Sequence, residues 1–187
     1  MAVKQLTGHV RVLLCLVFLT ALNCHGVRAA PAPTEEQVKA VFVFNFSHFV
    51  EWPEQAFASP AAPFVIGVLG SDSFGIRLEE TVHGEKIGEH PLAVRRYRNL
   101  ADLGDCQILY VDQTQAGQLA QIIAALNRRS TLTVADADKS AEHGVMMQFV
   151  TDNNRIRLRI NVEAARMAGL TISSKLLRPA EIVAAGN

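Results

Sequence analysis

Three strand-length apolar runs limit the folds open to this chain more than anything else in it: residues 64–70 (FVIGVLG), 106–111 (CQILYV) and 131–135 (TLTVA). None alternates with charged residues, as a half-exposed strand would, so each suits a strand covered on both faces. Helix-length segments separate them. Ser71 or Asp72 can cap a helix to about Val82, with Phe74, Leu78 and Val82 at helical spacing. Residues 116–126 carry Leu119, Ile122, Ile123 and Leu126 along one side, and residues 92–97 add a strand in which apolar and basic residues mix. Strand alternating with helix predicts an α/β fold: a mainly parallel central sheet with helices on both faces. The last third departs from this pattern. Residues 145–151 are apolar, Asp152, Asn153 and Asn154 signal a turn, and Ile156, Leu158 and Ile160 then alternate with Arg155, Arg157 and Arg159. A C-terminal antiparallel hairpin with a solvated arginine face is expected there.

Ahead of the first strand lies KAVFVFNFSHFVEWP, residues 39–53, an apolar run read as a helix. Thr34 with Gln37 three residues on forms a capping box, and Pro53 is the expected stop. On a helical wheel Val38, Val41, Phe42, Phe49 and, at the edge, Phe46 share one stripe with Asn45 near its middle, which makes this the expected core face. Val43, Phe44 and Val50 are left over on the other side, where only Lys39, Ser47 and His48 are polar. Those leftovers need a lid, supplied either by residues 54–63 and the C-terminal segment or by a partner. Further on, Asn161 can cap a helix over residues 162–168 that Gly169 closes, and residues 171–178 return as Ser/Lys-rich chain before Pro179.

Residues 1–29 read as a secretory signal peptide, with a basic head (Lys4, His9, Arg11), an apolar core over residues 10–22 and a small-residue exit at Val27, Arg28 and Ala29. That core falls short of the roughly 20 residues a bilayer span needs, which argues against a permanent anchor. A single domain over residues 34–183 is expected to follow. The chain holds 18 basic and 18 acidic side chains. Loss of Lys4, Arg11 and Arg28 with the leader tips it mildly acidic, and nothing in it suggests nucleic acid. Of the three cysteines only Cys106 lies beyond the leader. The processed chain therefore forms no internal disulfide, and the apolar neighbours of Cys106 favour its burial.

Chemical motifs are scarce, and the residues assign no catalytic group, metal or cofactor. Residues 70–75 (GSDSFG) sit at a strand-to-helix turn, where open α/β sheets bind ligands, yet they match neither GxGxxG nor a P-loop; Ser71 and Asp72 read first as a cap. His83, Glu85, Glu89 and His90 are split by two glycines and match no metal spacing. Asp112, Asp136 and Asp138 follow strand ends, where capping explains them. Asn45 must find hydrogen-bond partners inside an apolar stripe, and Trp52 can either pack the helix end or anchor a partner. Ser173, Ser174 and Lys175 lack the SxxK spacing of a serine–lysine site; hydroxyl and ammonium donation to an anionic ligand is their more credible role.

Taken in order, KAVFVFNFSHFVEWP, FVIGVLGSDSFG, CQILYV, TLTVADADKSAEHGVMMQFV and RIRLRINVEAARMAGLTISSKLLR resemble the YfiR family of exported proteins across residues 35–182. The resemblance implies a single α/β domain in the periplasm, prone to homodimerise and regulatory rather than enzymatic. It implies binding to the periplasmic sensing domain of an inner-membrane diguanylate cyclase, which is held inactive, so that cyclic di-GMP output and biofilm formation are restrained. An outer-membrane lipoprotein partner relieves that inhibition. The alternative is a small-ligand module, for an anion or nucleotide, acting on another membrane sensor. Redox-linked members carry paired cysteines, which the lone Cys106 does not match. Asn45, Phe46, Trp52, Asn161, Ser173, Ser174 and Lys175 are the matching positions expected to touch a partner or ligand.

Overall fold

The computed structural model describes residues 32–127, 129–153 and 155–184. The expected signal peptide lies outside the described residues. The chain opens with α1 (Glu35–Phe49), whose start follows the capping box: the Gln37 amide donates to Thr34 Oγ1 at 3.3 Å and the Thr34 amide to Gln37 Oε1 at 2.8 Å. It stops at Phe49 rather than running on to Pro53. Val50–Glu51 (β1) is already extended because it pairs antiparallel with β9 (Thr171–Ile172), and the Ser173 amide takes up the Phe49 carbonyl at 2.8 Å. One of the orphan carbonyls of the last turn is thereby satisfied.

The remaining strands form one sheet. In chain order they are β2 (Phe64–Leu69), β3 (Lys86–Ile87), β4 (His90–Tyr97), β5 (Ile108–Val111), β6 (Leu132–Ala135), β7 (Met147–Asp152), β8 (Arg155–Ile160) and β10 (Glu181–Ile182). Their spatial order is β10-β8-β7-β6-β5-β2-β4-β3. The core from β4 through β7 is parallel, with Ile66 opposite Val94 on one side and Ile108 on the other; β3 and the β7–β8 hairpin are antiparallel. Between β7 and β8 Asn153 takes φ +48°, a left-handed setting that asparagine tolerates better than most residues. Arg155 and Arg157 on β8 are exposed, as the alternation predicts.

Alternate side chains of β2 enter two separate cores. Phe64, Ile66 and Val68 join α1 and α2 (Asp72–Val82), while Val65 and Leu69 meet α3 (Leu119–Ala125) on the opposite face. Helices on both faces follow from strands apolar at every position. Two short helices complete the fold, α4 (Val162–Met167) and α5 (Ser174–Leu177). Pairing across the chain adds elements that local pattern does not announce: β3, β9 and β10 are two residues each, and β10 joins the sheet only by lying parallel to β8. The segment expected as one helix from residue 116 starts instead as a 3-10 turn over Gln113–Gln118, because Asp112 caps it through the Thr114 amide.

Candidate functional site

The face that α1 turns to the sheet is rotated from the one its sequence suggests. Lys39, Ala40, Val43, Phe46 and Ser47 are buried, and Val50 continues the same line. Of the expected core stripe, Phe46 at its edge is buried and Phe42 and Phe49 are half-buried against the core, whereas Val41 is 48% exposed and Val38 and Asn45 are half-buried. The expected leftovers Val43 and Val50 are core, and Phe44 packs beside it, edge-on to His48 with ring centres 5.0 Å apart. The reason is that α1 is apolar on nearly every side, so periodicity leaves its rotation undetermined. Lys39 then fixes it by finding acceptors inside, and Ser47 is tolerated on the buried side because its hydroxyl donates back to the Phe44 carbonyl.

Lys39 is the centre of a polar cluster at the carboxyl ends of the parallel strands. Its Nζ lies 2.8 Å from Glu35 Oε1 and 3.1 Å from Asp136 Oδ2, and it sits 6.0 Å from the centre of the Phe149 ring. Tyr110, stacked on Phe74 at 3.9 Å, donates its hydroxyl to the same Asp136 oxygen at 2.9 Å, and Thr151 donates to Glu35 at 3.0 Å. Burial depresses the Lys39 ammonium, but hydrogen bonds to Glu35 and Asp136 outweigh it and leave its pKa above the ordinary lysine value. The hydrogen bond from Lys39, with help from Thr151, holds Glu35 below the usual carboxylate range. Burial, then the Asp136 charge, pushes Tyr110 far above an ordinary phenol. Asp136 Oδ1 is buried and accepts nothing from the described residues. This cluster clamps α1 to β5, β6 and β7, and sequence reading missed it because Lys39 and Asp136 are 97 positions apart.

Beside the clamp, α1 and the tip of the β7–β8 hairpin enclose a groove of about 430 Å3 with Val38, Phe42 and Ile156 along it and Glu35, Thr151 and Arg155 at its rim. Phe42 meets Phe149 edge-on at 6.0 Å, and Phe149 stacks on buried Phe46 at 5.9 Å, so the groove floor is braced by the core. Basic residues continue from the rim along β8. Arg157 lies 3.5 Å from Asp152 and Arg159 3.0 Å from Glu181, exposed pairs that contribute little stability.

The seven residues singled out from sequence do not converge on one pocket. Asn45 is on the outer face of α1 and Phe46 on its inner face. Trp52 is half-buried; its Nε1 donates to the Gln107 carbonyl at 3.0 Å and its ring meets Phe64 edge-on at 4.9 Å. Asn161 is fully buried and caps α4 through the Ala164 amide at 2.9 Å while donating to the Ala141 carbonyl at 3.1 Å. Ser173 caps α5 through the Lys175 amide, and Ser174 and Lys175 are exposed beside it. In the strand-end loop, Ser71 accepts from the Phe74 amide and Ser73 donates to Glu36, so a carboxylate of α1 already occupies the hydroxyl of Ser73. Gly75 has a packing role: a Cβ there would come within 2.5 Å of Arg96 Cδ, which crosses α2 to reach Glu79. His90 is stacked on Phe57 at 4.0 Å, and among the described residues no three His, Cys, Asp or Glu side chains are grouped to hold a metal ion. No described helix is long and apolar enough to cross a membrane.

A family model described as YfiR/HmsC-like matches residues 36–181. No curated protein matches the chain. Among solved structures, one described as the ABC domain in complex with L-Trp from Streptococcus pneumonia aligns with a TM-score of 0.55 at 14% identity, over 79% of this chain and 60% of that one. The chain thus spans less than two thirds of that protein, and the likeness is one of fold.

Proposed function

The chain belongs to the YfiR/HmsC-like family, and from that premise we propose that it is a periplasmic regulator, not an enzyme, which acts by protein contact. It binds the sensing domain of an inner-membrane diguanylate cyclase and holds it inactive, restraining cyclic di-GMP output and biofilm formation; an outer-membrane lipoprotein releases it. The observation that supports this reading is the second apolar face of α1. A helix that already buries Ala40, Val43 and Phe46, with Phe42 and Phe49 half-buried against the same core, still presents Val41 outward, with half-buried Val38 and Phe42 along a groove. Exposed apolar surface of this kind, rimmed by polar residues, marks interaction sites. Asn45, in the middle of that face, supplies a side-chain amide for hydrogen bonds across it. Trp52, Ser174 and Lys175 border the β1–β9 ladder at the other end of α1, and we assign them to the edge of the same contact. A homodimer would draw on this face as well, so a second copy and the cyclase compete for it.

The test uses Val41→Glu, because Val41 has space around it and its loss leaves the core intact. The variant is expected to fold as the wild type does, to lose co-purification with the membrane cyclase, and to raise cyclic di-GMP in cells as deletion does. A Val41→Glu protein that still pulls down the cyclase and still lowers cyclic di-GMP would overturn the assignment of this face.

A further inference from the structure

At the other end of the sheet, away from the Lys39 clamp, the amino ends of β2, β5 and β6 open onto a cleft of about 500 Å3. Gln107 builds one wall. Its Nε2 donates to the Ala56 carbonyl at 2.6 Å and its Oε1 accepts from the Val65 amide at 2.7 Å, which holds the turn after Trp52 against β2. Phe57 and Pro63 on this wall are apolar. Two guanidiniums face it, Arg95 on β4 and Arg129 ahead of β6. They are met by one acid: Asp105 lies 3.4 Å from Arg129, and its side chain is 96% exposed. Arg95 has no carboxylate partner among the described residues.

We propose that this cleft binds a small organic anion, a carboxylate or phosphate on an apolar body, gripped by Arg95 and Arg129. Two cations against one fully hydrated acid leave the cleft positive. The planar fork of arginine fits both head groups in bidentate fashion, whereas a lone exposed aspartate competes weakly. The volume lies within the range of small-molecule sites, and Phe57 and Pro63 give the ligand body an apolar surface. The site is separate from the outer face of α1 and stands whether or not that face binds the cyclase.

The purified protein is tested by thermal shift and calorimetry with benzoate, acetate and inorganic phosphate, against sodium chloride at matched ionic strength. Benzoate or phosphate is expected to raise the melting temperature by about 3 °C at tenfold its Kd, and the better of the two identifies the head group. Arg95→Gln and Arg129→Gln should each abolish the shift, Arg129→Lys should keep part of it, and Asp105→Asn should tighten binding about threefold. All three positions are exposed, so the variants fold, which circular dichroism verifies. The proposal fails if none of the three anions exceeds sodium chloride, or if the Arg95→Gln/Arg129→Gln double variant responds as the wild type does.

Discussion

Lys39 shows how a single residue decides where an ambiguous helix points. A lysine 8% exposed is tolerated only because two carboxylates meet it, and its removal leaves Asp136 with an unpaired charge in a low-dielectric setting. Lys39→Met should therefore destabilise the fold by about 3 kcal/mol in urea unfolding, and adding Asp136→Asn should recover much of that loss. Additive losses in the double variant would mean that the two residues do not act as a pair. The pH dependence follows from the two shifts. The raised Lys39 pKa gives stability that is complete below the ordinary lysine value of about 10.4 and is lost as pH rises through the folded value. The lowered Glu35 pKa gives stability that is complete above the ordinary carboxylate value of about 4.3 and is lost as pH falls through the folded one. The stability difference between wild type and Lys39→Met should thus be flat from about pH 5 to 10 and shrink on both sides; variation through neutrality would contradict it.

At the scale of the element, α1 has two apolar faces with different duties. Val43→Asp places a charge in a fully buried site and should unfold the protein, whereas Val41→Asp, on the outward face, should change stability by less than about 1 kcal/mol. A urea midpoint that falls further in Val41→Asp than in Val43→Asp would restore the orientation expected from the wheel. The sequence tells much about where elements begin: Thr34, Ser71 and Asn161 cap helices where their side chains can reach the next amides, and the alternation of residues 155–160 marks β8 and its exposed arginines. It tells little about rotation when a helix lacks a polar side. Nor do two-residue strands leave a local signature, since β9 and β10 exist only through partners that approach from elsewhere in the chain.

For the molecule as a whole, the α/β order was legible because buried parallel strands must be apolar at every position, while the clamp and the basic cleft were not. Both are assembled from residues such as Lys39 with Asp136, or Arg95 with Arg129, that only the sheet order β7-β6-β5-β2-β4 brings together. The placement of α1 has one more consequence. The earliest described element is held by β6, β7 and β8, through Asp136, Phe149 and Leu158, which are synthesised about a hundred residues later. Until the hairpin closes, a sticky helix has nothing to lie on, and such non-local contacts form slowly. In the proposed export to the periplasm, with the amino end leading, arrival order and burial order are reversed. The stretch that emerges first waits longest, and it is the one most in need of a chaperone in the new compartment.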